Sequence, residues 1–331
     1  EKYTMNDTIG WGILGPGKIA QSFANDLKLV AGGNLVAAAS RNLERAQTFA
    51  SEYDATYAFG SYEELFTCDA VDVIYIATPH TGHMEWAIKA MQAGKHVLCE
   101  KPLGINTSEV EQMITVAAAN KVFLMEALWS RFNPSLKKIK QLVAESHIGA
   151  ISYIHADFAF YGLDRAIESR ILNVDLAGGS ILDIGIYPIF LAYLILGKPN
   201  SIQAVSNFHK KGAEIQTSMI FQYDNAQAIL YSGLTSNSKM RAEIQGSTGA
   251  FYIDPRWHET QGFVVLKDGE EERFDLPTLG KGYSHEIEEV HNCLKKGKLQ
   301  SDYWSHQNSV DLINLLDAVR EASGVVFPFE R

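Results

Sequence analysis

Cysteine is scarce and shows no pairing pattern: Cys68, Cys99 and Cys293 are an odd number, far apart, with the spacing of neither a zinc site nor a disulfide framework. A reducing, cytoplasmic setting is the expectation. Basic charge is also short, 29 Lys and Arg against 39 Asp and Glu for a formal net charge of −10, which excludes neutralisation of a nucleic-acid backbone over a broad surface. Any anion must therefore be captured locally. Long apolar runs are missing as well. The longest, Ile186–Leu196, contains Pro188 and Tyr193 and falls far short of the ~20 residues that a membrane helix needs. The polar residues 1–8 contain no apolar signal core. His80 and His83 stand three apart without a third ligand, so no metal site is expected and a helix start is the simpler reading. Internal repeats and low-complexity segments are absent. What remains, 331 residues of which 46% are hydrophobic and 21% charged, is the make-up of an ordinary folded chain of about two domains.

From residue 8 to residue 126 apolar runs alternate with helical patterns, the signature of βαβ units and a parallel sheet. Strands are predicted at 9–14, 35–39, 56–59, 73–77, 97–99 and 122–125. Ile19, Phe23 and Leu27 mark the first helix, and Leu43, Ala46, Ala50 and Tyr53 the second. Ser61 with Glu64, and Ser108 with Glu111, have the spacing of capping boxes at two further helix starts. Beyond residue 126 the grammar changes. Helices at 136–143 and 180–196 flank a strand at 151–160, and Pro188 predicts irregular backbone inside the second helix. Strands then follow without helices between them, at 202–208, 215–223, 226–234, 240–245, 251–254, 263–267 and 272–276. Asp224-Asn225 and Asp268-Gly269 supply hairpin turns. Helices near 284–296 and 308–322 close the chain. The expected fold is an α/β Rossmann domain with a doubly wound parallel sheet over 7–127. An α+β domain with a large mixed, mostly antiparallel sheet follows over 128–331.

Between the first strand and helix lies Gly15-Pro16-Gly17-Lys18-Ile19-Ala20, a G-x-G-x-x-A pattern in the context that makes it a dinucleotide loop. Gly15 permits the tight turn, Gly17 lets a pyrophosphate approach, and Ala20 keeps the helix near the strand. The helix N-terminus supplies unpaired N–H donors. The competing reading is a glycine-rich turn without a ligand. At the end of the second strand, where an acidic residue would repel a 2′-phosphate, stand Ala39-Ser40-Arg41-Asn42. Ser40 offers a hydroxyl and Arg41 a planar fork, so NADP is favoured over NAD. Otherwise Arg41 is a solvated helix-start residue.

Two strand-end segments face the ligand crevice of such a sheet, Ala77-Thr78-Pro79-His80 and Glu100-Lys101-Pro102. A lysine there can hydrogen-bond a substrate oxygen and assist proton transfer; a surface lysine after a strand is the plainer reading. In the second half, Gly178-Gly179-Ser180 leads to Asp183 and Tyr187, four apart on a helix and hence on one face. A phenol exchanges a proton with an alcohol or carbonyl, helped by a nearby cation. A first-turn helix acid and a core aromatic are the alternatives.

These motifs, in this order, resemble those of the glucose-fructose oxidoreductase/inositol dehydrogenase/rhizopine catabolism (Gfo/Idh/MocA) family over nearly the whole chain. Met125-Glu126-Ala127-Leu128-Trp129-Ser130-Arg131-Phe132 and Asp183-Ile184-Gly185-Ile186-Tyr187 look most like its branch of dimeric dihydrodiol dehydrogenases and NADP-dependent D-xylose dehydrogenases. The resemblance implies an NADP-dependent oxidoreductase of CH–OH groups in a sugar, polyol or trans-dihydrodiol, and a homodimer formed through the second domain. It implies Lys101, Tyr187 and Asp183 as the catalytic group, with Tyr187 where inositol dehydrogenases carry a histidine, which argues against an inositol substrate. Contacts to the dinucleotide are implied for Gly15, Pro16, Gly17, Lys18, Ile19, Ser40, Arg41, Ala77, Thr78, Pro79, His80, His83, Glu100 and Lys101. Trp129, Arg131, Phe132, Tyr161, Arg170 and Asn173 are the substrate-pocket candidates. Some relatives are transcriptional regulators that bind the dinucleotide without turnover, and a reductase of a non-sugar carbonyl compound is a further reading. The presence of both Lys101 and Tyr187 argues for catalysis.

Overall fold

The continuous apolar runs near the amino end become strands buried on both faces, as parallel strands between helices must be. In the computed structural model, which describes residues 8–166 and 168–330, the chain forms two compact units. The first holds the described residues up to Phe132 together with Leu279–Val310, and the second holds Asn133–Thr278 and the residues from Asp311 on.

The first unit runs β1 (Ile9–Leu14), α1 (Lys18–Leu27), β2 (Gly33–Ala39), α2 (Leu43–Glu52), β3 (Tyr57–Phe59), α3 (Tyr62–Phe66), β4 (Val73–Ile76), α4 (His83–Gln92), β5 (His96–Glu100), α5 (Thr107–Asn120) and β6 (Leu124–Ala127). All pairings are parallel, in the order β3-β2-β1-β4-β5-β6. The order reverses between β1 and β4, so the carboxyl ends of these two strands open the crevice where doubly wound sheets bind ligands. One predicted capping box forms: Ser61 Oγ accepts from Glu64 N at 3.3 Å, and Glu64 Oε2 accepts from Gly60 N at 3.2 Å. The other is displaced. Asn106, two residues before Ser108, takes the extended cap conformation and accepts from Glu109 N at 3.0 Å, while Glu109 Oε2 accepts from Ile105 N at 3.0 Å. Asparagine caps as well as serine does, and the earlier site starts the helix sooner.

In the second unit α6 (Pro134–Ala144) precedes β7 (Ile151–Ala159), and α7 (Ile186–Leu196) precedes β8 (Ser201–Phe208), β9 (Glu214–Gln222), β10 (Gln227–Gly233), β11 (Ala242–Gly246), β12 (Gly249–Ile253), β13 (Gly262–Lys267) and β14 (Glu270–Asp275). The sheet order is β14-β13-β12-β11-β7-β10-β9-β8, with β7 and β10 parallel and the other pairs antiparallel. Asp268 and Gly269 both have positive φ, 52° and 83°, as the tight β13–β14 turn requires. The single helix expected over 180–196 divides into a π turn, Ile181–Gly185, and α7. Pro188 has no N–H to give and its ring crowds the Ile184 carbonyl, and the widened turn accommodates both.

Of the last two helices, α8 (Ser284–Lys295) belongs to the first unit, and α9 (His306–Ser323) divides between the units at Val310. Asp26 of α1 fastens the start of α8. Its Oδ1 accepts from Lys281 N at 2.9 Å, and its Oδ2 from the N–H groups of Gly282, Tyr283 and Ser284 at 2.9, 2.8 and 3.2 Å. Deeper in, Trp11 Nε1 donates to His291 Nε2 at 2.9 Å. Burial lowers the pKa of His291 to about 4, so the ring stays neutral and able to accept at physiological pH.

Candidate active-site groups in the two units

The loop after β1 is built for an anion. Gly15 has φ +87°, and a Cβ on it would lie 3.1–3.3 Å from the backbone of Ala77 and Thr78. Gly17 is the N-cap of α1 and provides no side-chain cap; the first turn carries no acidic residue. The start of the helix thus carries no side-chain cap, and the nearest atom that a Cβ at Gly17 would meet is in the Arg45 guanidinium at 3.9 Å. Lys18 and Ile19 are exposed, whereas Ala20 is buried, as its place in the pattern requires. These residues fit a dinucleotide pyrophosphate.

Beside the loop, α2 helps to wall a cavity of about 450 Å³ that Pro16, Gly17, Lys18, Asn42 and Arg45 share. Ser40 is buried at the end of β2 and its hydroxyl accepts from Asn42 N at 3.2 Å, while Arg41 is exposed. Arg45 was not among the sequence candidates. Its Nε donates to the Pro16 carbonyl at 3.2 Å, which brings a guanidinium to the glycine loop. Four residues separate it from Arg41, but Arg41 precedes the cap of α2, so helical spacing does not link the two.

The two strand-end segments are tied together by one imidazole. His83, fully buried, places Nδ1 2.7 Å from the Pro102 carbonyl and Nε2 3.0 Å from the Thr78 carbonyl. It thereby joins the segment Ala77-Thr78-Pro79 to the turn that follows Lys101. His80 is also buried, its ring centroid 5.7 Å from that of His83. Among the described residues no group of three or more His, Cys, Asp and Glu could hold a metal ion.

Lys101 follows β5, with buried acids on the same and the next strand end. Glu100 Oε2 accepts from the Lys101 N–H at 3.2 Å, and its Oε1 accepts from the Tyr75 hydroxyl. Glu126, whose role no local pattern in the sequence announces, closes the turn from β6. Its Oε1 accepts from Leu103 N at 2.9 Å, and its Oε2 from Trp304 Nε1 and Ser309 Oγ at 3.0 and 2.7 Å. Burial raises the Glu126 pKa, and these bonds and the Lys101 charge oppose the rise. Glu286 of α8 completes the cluster with no exposed surface. Burial, and after it the charges of Glu100 and Asp26, push its pKa well up.

Of the pocket candidates in this unit, Trp129 stacks on Tyr283 with centroids 4.8 Å apart. Arg131 Nε donates to the Tyr303 carbonyl at 2.9 Å, and Phe132 has no exposed surface.

In the second unit Asp183 sits within the π turn and Tyr187 in the first turn of α7, both buried. Arg170 Nη1 donates to Asp183 Oδ1 at 2.7 Å, which makes this pocket candidate the partner of a catalytic one. Asn173 caps a short turn by accepting from Asp175 N at 3.0 Å, and Tyr161 is half exposed. A Cβ on Gly178 would lie 2.6–2.9 Å from the backbone of Arg170 and Asn173, so this glycine is what brings them near the turn. Aromatic rings flank Tyr187: Phe158 of β7 at 5.4 Å and His258 at 5.3 Å between centroids, themselves stacked at 4.2 Å. Neither ring was marked in the sequence, because nothing local distinguishes them from core aromatics.

Comparison with known proteins shows which chains this one is similar to. Residues 9–128 match the model of an oxidoreductase family with an NAD-binding Rossmann fold, and residues 136–252 the GFO/IDH/MocA C-terminal domain. The chain is 36% identical over 336 residues to trans-1,2-dihydrobenzene-1,2-diol dehydrogenase of Sus scrofa, covering 97% of this chain and 98% of that protein. To the protein of the same name from Mus musculus it is 35% identical over 334 residues, with 97% and 98% covered. Among solved structures, KijD10, a 3-ketoreductase from Actinomadura kijaniata in complex with NADP and TDP-benzene, is similar with TM-score 0.86 and 27% identity, over 96% of this chain and 98% of that one.

Proposed function

Since the chain belongs to the GFO/IDH/MocA oxidoreductase family, and as such binds a nicotinamide dinucleotide and acts on diols or sugars, we propose that it is an NADP-dependent dehydrogenase of the carbinol carbon of a cyclic trans-diol. The observation that carries this reading is the setting of Tyr187, a buried phenol walled by Phe158 and His258. Flat aromatic walls suit a ring better than a fully hydroxylated polyol, most of whose hydroxyls they would leave unpaired.

NADP, when bound, supplies the acceptor for the hydride that leaves the carbinol carbon. Gly15, Pro16, Gly17 and Lys18 would hold its pyrophosphate, and Ser40, Arg41 and Arg45 its ribose phosphate. Tyr187 takes the hydroxyl proton as the C–H bond breaks, and Lys101 stabilises the oxygen while it carries negative charge. Asp183, anchored by Arg170, orients the phenol. Glu100, Glu126 and His83 hold the Lys101 turn. The products are the ketone, reduced NADP and one proton.

Absorbance of reduced NADP during incubation with trans-dihydrodiols, aldoses and polyols tests the reading, with the fastest turnover expected on the dihydrodiols. Lys101→Met and Tyr187→Phe each lower kcat by about 100-fold or more and leave NADP affinity within a few-fold, the usual cost of removing acid–base assistance. Near-wild-type turnover in both variants would sink the assignment.

A further inference from the structure

The π turn that carries Asp183 begins on backbone that a helix cannot satisfy by itself. A distant acid satisfies it. Glu214, the first residue of β9, is 2% exposed and accepts four hydrogen bonds around the start of the turn. Its Oε2 takes the N–H groups of Ser180 and Ile181 at 2.7 and 2.9 Å. Its Oε1 takes the hydroxyls of Ser180 and Thr217, both at 2.7 Å. The Ser180 hydroxyl also lies 2.8 Å from that of Ser232 on β10, so the turn is fixed to two strands at once.

Two glycines permit so close an approach. Gly179, at φ +142°, has its Cβ position 3.2 Å from Glu214, and that of Gly185 is 3.0 Å from Ser232 Oγ. Larger residues at either place would lift the turn off the sheet. The carboxylate is thus used up in holding backbone, and the side chains carried by that backbone are the ones assigned to chemistry.

We propose that Glu214 is a positioning residue for the reaction, the group that sets the π turn and through it the placement of Asp183 and of the Tyr187 phenol. The inference rests on the reading of Tyr187 as the proton-transfer group. A glutamine retains an acceptor edge for the two N–H groups, and the hydroxyls can rotate to accept from its amide. A methionine of similar length leaves both buried N–H groups without a partner.

The test compares Glu214→Gln, Glu214→Met and Tyr187→Phe with the wild type. Readouts are kcat and KM for the best substrate of the panel, NADP affinity by fluorescence, and hydrogen exchange across the chain. Glu214→Gln is expected to keep kcat within about three-fold and Glu214→Met to lower it about ten-fold or more, with KM and NADP affinity each within about three-fold. Exchange should quicken in Glu214→Met over residues 180–187 and stay unchanged over 9–128. A folded methionine variant with kcat within about two-fold of wild type overturns the proposal, as does one that loses NADP affinity and protection throughout in parallel with kcat. Should that variant not fold, Thr217→Val, which removes one donor from Oε1, is judged by the same pattern with a loss of about three-fold in kcat. Tyr187→Phe separates the two levels. If it keeps its activity, the reading of Tyr187 has failed and the exchange data alone decide what Glu214 holds. If it collapses while Glu214→Met does not, only the present inference falls.

Discussion

Arg45, on α2, donates to the glycine loop, and Arg41 is exposed just beyond the end of β2; a phosphate on the adenosine ribose is the chemistry proposed to engage both. Alanine at Arg45 is expected to weaken NADP about ten-fold or more while leaving NAD within about three-fold, as measured by fluorescence titration, because a charge-assisted bond to the phosphate is lost. Arg41→Ala should show the same asymmetry; equal losses for the two dinucleotides would remove both residues from phosphate recognition. Arg41 draws notice in the sequence because it stands two residues beyond a strand end, whereas Arg45 comes to the loop only through the helix. Glu286 was not legible at all, since a first-turn glutamate usually means a solvated helix start. Its carboxyl oxygens are buried and find no hydrogen-bond partner among the described residues. Its pKa is raised in the folded state, so the stability it allows is complete below the unfolded value near 4.5 and is lost as pH rises toward the folded one. Glu286→Gln should therefore match the wild type in thermal melts near pH 4.5 and exceed it increasingly as pH rises. A difference that does not change with pH would mean that the carboxyl does not titrate on unfolding.

Helices and strands were read from periodicity, and their ends from cap chemistry, and the two signals did not succeed equally. The parallel strands of the first unit stood out because burial on both faces leaves continuous apolar runs, as in Val73–Ile76. The α5 cap was misplaced because serine and asparagine compete two residues apart, and spacing alone does not rank them. That competition can be measured: Asn106→Ala should cost about 1 kcal/mol in denaturant unfolding, and Ser108→Ala less than about 0.5 kcal/mol. Equal costs would return the cap to the serine. For α7 the proline foretold a disturbance, but the π turn with its anchor at Glu214 depends on a residue more than thirty positions away, which no local pattern contains.

The whole chain is organised by a return that the sequence conceals. A division near residue 127 follows naturally from the change in grammar, yet residues 279–310 pack with the first unit, where Asp26, Trp11, Glu126 and Arg131 are among the side chains that receive them. Nothing in a helical stripe says against which sheet it will lie. A fragment ending at Phe132 should accordingly melt without cooperativity and bind NADP at least about ten-fold more weakly than the full chain. Joining residues 279–310 to it through a flexible glycine–serine linker should restore both. Full affinity in the short fragment would show that the returning segment is dispensable.

The same return governs the order of events at the ribosome. Neither unit holds all of its residues until the stretch after Thr278 has been synthesised, since the first needs Leu279–Val310 and the second the residues from Asp311 on. A nascent chain stalled before that point exposes the apolar surfaces of α1 and β1 that α8 would cover, and a premature stop late in the message injures both halves at once.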